Sequence, residues 1–452
     1  MEDRGQDLPE PQLSSDADGA PAPPGLVRAI GRWDFTAAII NGVIGSGIFS
    51  LPSVLAGLTG AGSPITFVLA GLGMLTMLLC TAEVASRFSE AGGPYLYVRE
   101  AFGRDAGFQA GWLTFFIRAT SAAAALNVFT DYLGPLAPPL AQGAGRVATM
   151  TVVLAVITVI NVLGVRQATW AVDLLTAGKL VPLFLLILLG LPRVSGGVLA
   201  TQTVADPNWT QGVLLLVFAY GGFDTPLIVA GEVRRPRQDS AFALIVGMAV
   251  IATVYTLVQV VAVGVVPAVA TTKAPLAEAF RILLGPPGVV LITAGAMIST
   301  YGLATGSVLA APRLLFSMAQ RGELPAILGR IHPRFRTPDV AICFYSAVTL
   351  GCAIYGSFAW NATVSAIVRL VTYGLICAAL LVFRRRGGEE GGFRLPGANA
   401  IAPVAIAFAL WLLSTRTFKQ AWVLAVLMAA GWALGRLAGG SRRPGPLTTS
   451  GR

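Results

Sequence analysis

The sequence predicts an all-α integral membrane protein with twelve transmembrane helices. Three observations carry that prediction. The 452 residues are 55% hydrophobic and only 12% charged, about half the charged share of an ordinary soluble domain, and the mean hydropathy is +0.72. Apolar stretches near the ~20 residues that a helix needs to cross a bilayer recur along the whole chain. Two of these stretches also carry glycine clusters that an uninterrupted helix avoids, since each glycine costs about 1 kcal/mol relative to alanine.

Residues 1–30 are polar, acidic and proline-rich, without the apolar core of a secretory signal, and are expected to form a disordered cytoplasmic tail. The twelve apolar segments follow at 36–60, 64–87, 107–133, 147–165, 171–192, 209–231, 240–268, 287–316, 339–358, 361–383, 400–415 and 418–438. Between the seventh and eighth, "KAPLAEAFRILLGPPG" (273–288) reads as a short interfacial helix over an outer loop. Residues 439–452 form a second polar tail. Alternate loops differ in charge, with sixteen arginines on one side and six basic residues on the other. The positive-inside rule places the arginine-rich loops and both termini in the cytoplasm of a multi-pass cell-membrane protein. This asymmetry also accounts for the net charge of +10, so the expected partner is the lipid bilayer and not nucleic acid.

The first span breaks at "NGVIGSGIFSLP" (41–52) and the sixth at "FAYGGFDTP" (218–226). Interrupted helices in corresponding places of two halves point to a transport site built from inverted repeats. Five spans per repeat divide the chain into 31–192, 209–383 and an extra pair of helices at 400–438. An unwound turn presents N–H groups at the start of the following half-helix, where the dipole favours an anion. The carbonyls that end the preceding half-helix suit an ammonium. A site with both polarities fits a zwitterion, and an α-amino acid is the commonest one. Close helix packing through small residues is the competing explanation for either break taken singly.

Four stretches resemble the amino acid–polyamine–organocation superfamily of permeases: "GVIGSGIFSLP", "AEVASRFSEAGGPYLYVREAFGRDAGFQAGW" (82–112), "FAYGGFDTPLIVAGEVRRPRQD" (218–239) and "APRLLFSMAQRGELP" (311–325). The resemblance covers about residues 30–390. It implies the leucine-transporter-type fold, a five-plus-five inverted repeat with broken helices one and six, and amino acid transport by alternating access. It also implies that the substrate carboxylate meets the N–H groups of Ser46 and Gly47 with Ile44 alongside. The α-amino group then meets carbonyls of Phe218, Ala219 and Gly221. Tyr220 is either an aromatic wall or gate, or an ordinary packing residue. Family members often carry glutamate where this chain has Asp224, which shortens the reach of that carboxylate.

Only three of the 32 basic residues are lysines, and Lys179 lies well inside the fifth span. An intramembrane cation is a functional hypothesis by default, and a buried lysine can lose its proton whereas arginine effectively cannot. Snorkelling from near the helix end is the alternative. The resemblance implies that Lys179 replaces the sodium ion of sodium-coupled relatives, touching carbonyls near Gly42 and Val43 and the hydroxyl of Ser299. Arg118 lies in the middle of the third span, where Ile117, Arg118 and Ala122 are candidates for the cavity lining. Arg118 either contacts substrate or pairs with an intramembrane acid such as Asp224. Arg369 in the tenth span is a further buried charge for which the sequence suggests no role. Glu83, near a span end, is expected to be solvated or paired to loop arginines.

Cys80, Cys343, Cys352 and Cys377 all lie in apolar segments and His332 is the single histidine. No metal centre, cofactor or disulfide-linked subunit is expected, and no catalytic motif points to an enzyme. The sequence therefore predicts a sodium-independent secondary transporter of neutral amino acids, driven by protons or by exchange. An amine or polyamine exchanger, or a substrate sensor of the same fold, are the alternatives.

Overall fold

The computed structural model describes residues 31–88, 93–164, 169–223, 233–234, 236–387 and 393–439. Among these the regular elements are all helices. Helix α1 (Arg32–Val43) and α2 (Gly47–Thr59) occupy the first predicted segment and are separated by three non-helical residues. Helix α3 (Ser63–Ser86) follows after one 3₁₀ turn, and a short α4 (Gly93–Phe102) leads into the 30-residue α5 (Arg104–Leu133). Helices α6 (Gly143–Leu163) and α7 (Thr169–Gly190) occupy the fourth and fifth predicted segments. A six-residue α8 (Gly196–Thr201) then precedes α9 (Trp209–Ala219), which stops at the second glycine cluster.

Helix α10 (Pro236–Val265) is followed by α11 (Pro275–Leu284), the short helix expected within 273–288. Then come α12 (Pro286–Gln320), α13 (Asp339–Tyr355), α14 (Phe358–Arg386), α15 (Ala398–Ser414) and α16 (Phe418–Gly439). Among the described residues, seven apolar helical stretches are long enough to cross a membrane: Gly47–Ser86, Arg104–Leu133, Gly143–Leu163, Phe242–Val265, Pro286–Gln320, Phe358–Arg386 and Phe418–Arg436. Helices α9, α13 and α15 are apolar but shorter.

The packing places α5 at the centre, against α12, α14, α4 and α13. Helices α1, α3 and α7 pack around α10. One large apolar cluster joins α1, α2, α3, α9 and α10, and includes Phe35, Phe49, Phe67, Phe218 and Tyr255. Burial of such side chains contributes about 1.5–3 kcal/mol each relative to water. In lipid, interhelical packing and hydrogen bonds supply the remaining specificity. Helix α16, by contrast, shows Trp422 and Trp432 on its outside.

The arginine-rich end of the bundle is tied by two buried carboxylates. Glu83 at the end of α3 is fully buried. It accepts hydrogen bonds from Arg384 Nη2 at 2.6 Å, Arg87 Nη2 at 2.9 Å and the Leu395 N–H at 2.8 Å. It is therefore paired and not solvated. Glu323, just beyond α12, accepts from Arg99 Nη1 at 2.9 Å and Tyr95 Oη at 2.8 Å. Removing one partner of such a pair leaves an uncompensated charge, which is why they come as networks. The cysteines are free. Cys80 and Cys377 are buried, while Cys343 is exposed on α13 and so is not a core residue. His332 holds a turn by accepting from the N–H groups of Arg334 and Phe335, both at 3.2 Å.

Candidate functional site between two broken helices

The local sequence explains both breaks. Helix α1 ends at Val43, and its last carbonyls have no intrahelical partners. The helix cap and side chains from neighbouring helices meet them. Ile40 accepts from the Ile44 N–H at 3.0 Å. Asn41 and Ile44 accept from Lys179 Nζ, at 2.6 and 2.8 Å. The Val43 carbonyl accepts from Tyr255 Oη at 3.2 Å. The Gly42 carbonyl lies against Gly222, where a Cβ would come within 2.6 Å of it. Gly222 also has φ of +109°, a conformation that side chains other than hydrogen rarely adopt. Glycine is thus required at 222 twice over.

The two breaks touch. A Cβ on Gly47, the first residue of α2, would stand 3.1 Å from Cα and Cβ of Ala219, the last residue of α9. Tyr255 Oη lies within reach of carbonyls on both sides, Val43 at 3.2 Å and Ala219 at 3.5 Å. Between the breaks is a cavity of about 50 Å³, room for a few water-sized groups. Its wall takes Gly42, Val43, Gly45, Ser46 and Gly47 from the first break, and Phe218, Ala219, Gly221 and Gly222 from the second. Arg118 and Ser121 of α5, Leu303 and Ser307 of α12, and Arg369 of α14 complete it. Ser46 is fully buried and its hydroxyl has no hydrogen-bond partner among the described residues.

Five of the expected binding residues, Ser46, Gly47, Phe218, Ala219 and Gly221, therefore meet around one cavity. Others stand elsewhere. Ile44 is buried outside the wall, with its carbonyl on Lys179. Tyr220 is fully buried, donates to the Phe67 carbonyl at 2.9 Å and packs on the Tyr255 ring at 5.6 Å. Of the two roles open to it, packing is the one observed, and Phe218 is the aromatic residue in the wall. Lys179 is at the expected break, and its acceptors Asn41 and Ile44 flank Gly42 and Val43. Ser299 is buried with an unpartnered hydroxyl and is not hydrogen-bonded to Lys179. From α5, Arg118 lines the cavity together with Ser121, one turn later on the same face. Ile117 faces away and packs with Val364 and Val368. Ala122 is buried and takes no part in the wall. Asp224 lies outside the described residues.

Tyr255, Ser121, Leu303, Ser307 and Arg369 are the site residues that the sequence did not single out by role. Only Arg369 carried a readable signal, as a charge in mid-span. Its guanidinium donates to Tyr373 Oη at 2.9 Å, Ser121 Oγ at 3.2 Å and Ser365 Oγ at 3.4 Å. It lies so close to Gly221 that a Cβ there would stand 2.8 Å from Nε and nearer still to Cζ and Nη1.

The fold and this cavity define a multi-pass membrane protein with a polar cavity between the end of α1 and the end of α9. Comparison of its sequence with known families and proteins narrows the class. The profile of the family described as amino acid permease matches residues 30–431, and the chain belongs to that family. The serine/threonine exchanger SteT of Bacillus subtilis is 27% identical over 403 residues, covering 86% of this chain and 91% of that protein. The rat large neutral amino acids transporter small subunit 2 is 29% identical, over 84% of this chain and 74% of that protein. The methylthioribose transporter of B. subtilis is 26% identical, over 86% and 88%.

Proposed function

We propose that this chain is a sodium-independent secondary transporter of neutral amino acids. In this proposal twelve spans, arranged as a five-plus-five inverted repeat with two added helices, lie in the cell membrane with both termini in the cytoplasm. The observation that carries it is the contact of the two breaks, Gly47 on Ala219 and Gly222 on the Gly42 carbonyl, around a cavity lined by backbone polar groups of both. Ser46 and Gly47 open a helix whose first N–H groups have no intrahelical acceptor, and these are assigned to the α-carboxylate. The carbonyls of Phe218, Ala219 and Gly221 are assigned to the ammonium. Family membership and the named substrates of two relatives, serine or threonine and large neutral amino acids, agree with this polarity.

Lys179 supports sodium independence. Its ammonium already occupies carbonyls that would otherwise coordinate a cation. It acts either as a titrating group in proton coupling or as a fixed charge in exchange. Alternating access then follows if the half-helices around the breaks rock about these contacts. The amine or polyamine alternative fits less well. Such a substrate leaves the Ser46 and Gly47 N–H groups without their carboxylate, and it brings further positive charge into a cavity that already has Arg118 and Arg369 in its wall.

The test is uptake of a labelled amino acid panel by proteoliposomes, with and without imposed pH gradients, sodium gradients and internal substrate. Accumulation or exchange of a neutral amino acid without sodium is expected. Saturable binding without accumulation would mark a sensor. Uptake of methylthioribose or of diamines, with no amino acid transported, would overturn the proposal.

A further inference from the structure

We infer that the loop joining α12 to α13 is a membrane-surface site that takes the headgroups of anionic phospholipids. This rests on the cytoplasmic placement of the arginine-rich loops proposed above. The loop runs over residues 321–338, between the end of α12 at Gln320 and the start of α13 at Asp339. It is held in place from several sides. Gln320 Nε2 donates to the Gly329 carbonyl at 2.9 Å, and Thr337 Oγ1 donates to the carbonyl of Val162, near the end of α6, at 2.7 Å. The His332 N–H donates to the Thr337 carbonyl at 2.8 Å, and the Arg336 N–H donates to the His332 carbonyl at 3.0 Å. Leu328 is buried. The ends of three apolar helices thus fix the loop at the level where those helices stop.

The loop exposes residues of two kinds. Arg330, Arg334 and Arg336 are exposed, and Ile327 and Ile331 are 61% and 48% exposed. Residues 326–338 include no acid, and Glu323 just before them is buried and taken by Arg99 and Arg104. None of the three arginines has an ion-pair partner among the described residues. Arg336 has φ of +56°, the only non-glycine residue with positive φ among the described residues. Glycine adopts that conformation more easily, yet the position carries a charge. In water the combination is poor, with uncovered apolar side chains beside unpaired cations. At a lipid surface both are met. The isoleucines enter the boundary between headgroups and acyl chains, and the guanidiniums take up phosphate oxygens. A zwitterionic headgroup offers a phosphate too, but it brings its own cation, so lipids with net negative charge are preferred. A soluble polyanion would satisfy the arginines and leave the isoleucines bare.

The experiment titrates the full-length protein in neutral detergent with phosphatidylglycerol and with phosphatidylcholine of the same acyl chains, and reads bound lipid by native mass spectrometry. Each arginine near an anionic surface is worth about fivefold. Phosphatidylglycerol should therefore bind at least about tenfold more tightly at about 0.1 M salt, and most of that preference should vanish at about 1 M. Arg330→Gln, Arg334→Gln and Arg336→Gln combined should bring the two lipids within about threefold of each other. Ile327→Ser with Ile331→Ser should weaken both lipids several-fold and keep the preference. Equal binding of the two lipids by the wild-type protein overturns the inference. So does a folded triple variant with the whole preference, because other basic loops then carry it. If the triple variant does not fold, the three single variants take its place, and full preference in every one of them overturns the inference. Glycerol 1-phosphate competing as strongly as phosphatidylglycerol itself would make this a site for free phosphate and overturn it as well. The underlying placement fails separately. A Pro333→Cys protein labelled by a membrane-impermeant maleimide in intact cells would defeat it, and would leave the lipid preference in detergent standing.

Discussion

Helices α1 and α9 both end at glycine clusters beside the cavity, and the two breaks differ in what holds them open. At the first break the backbone does the bonding. Its orphan carbonyls are taken by Lys179, by Tyr255 and by its own Ile44 N–H. At the second break the absence of side chains matters more. Gly221 admits a guanidinium and Gly222 admits both a positive φ and the Gly42 carbonyl. The first break is thus sensitive to losing a hydrogen-bond donor, and the second to gaining a methyl group. The difference separates an end held by hydrogen-bond donors from one set by shape.

The largest expected effect follows from shape. Gly222→Ala adds backbone strain of about 1–3 kcal/mol for an unfavourable φ and an overlap with the Gly42 carbonyl. Loss of uptake together with a clear drop in thermal stability is expected for the detergent-solubilised protein. Gly47→Ala meets Ala219 at 3.1 Å, a contact that a shift of a few tenths of an ångström relieves, so its effect should be smaller on both measures. If the two alanine variants behave alike, the contrast between the breaks is wrong.

Next in size is Lys179→Ala. It removes the donor from two carbonyls at once, and each buried acceptor left unsatisfied costs about 1–3 kcal/mol. Uptake should fall at least tenfold, and Lys179→Arg should not restore any dependence on a pH gradient, because arginine does not release a proton. A Lys179→Ala protein with normal uptake, or wild-type transport that needs a sodium gradient, would remove the lysine from the coupling role. Tyr255→Phe is milder. It deletes one hydroxyl within 3.2 and 3.5 Å of the two carbonyls, and a change of roughly 1 kcal/mol is expected, read as a several-fold rise in KM with little change in folding. An effect as large as that of Lys179→Ala would mean that the link between the breaks outweighs the bonding within the first.

Much of this contrast was legible in the sequence, and the rest was hidden for definable reasons. Glycine clusters stand out against helix propensity, so Gly45, Gly47, Gly221 and Gly222 were visible as breaks, and a lone intramembrane lysine was visible as a functional charge. Helix phase was not visible, because a helix that is apolar all round has no periodic signal. Hence Ile117, Arg118 and Ala122 were all expected at the cavity, while only Arg118 of these reaches it, together with Ser121 three residues on along the same face. The same limit hid the direction of Tyr220. The acceptors of Lys179 are the carbonyls on either side of Gly42 and Val43, a detail decided by where α1 ends. Tyr255 and Arg369 enter through contacts with Val43 and Ser121, 212 and 248 residues away in the chain, and no local pattern announces those. Asp224 and its neighbours lie outside the described residues, so the pairing with Arg118 stays a proposal.

The smallest expected effect tests whether anything outside the membrane holds the first break. Helix α11 packs over α2 and is tied to it through Tyr132, whose hydroxyl donates to the Phe49 carbonyl at 2.7 Å and accepts from the Leu276 N–H at 3.3 Å. On its outer face Arg281 donates to Glu278 and holds that carboxyl below its ordinary value of 4.5. A lowered carboxyl pKa stabilises the folded state above the ordinary carboxylate range, and this contribution disappears as pH falls through the lowered value. The pair is exposed and therefore worth little. Glu278→Gln should move the melting temperature by no more than about 1–2 °C at neutral pH, the small difference should vanish in acid, and uptake should stay within about twofold of wild type. A larger loss of uptake would mean that the first break depends on the outer helix above it as well as on Lys179, and the contrast between a bonded break and a shaped one would have to include that helix.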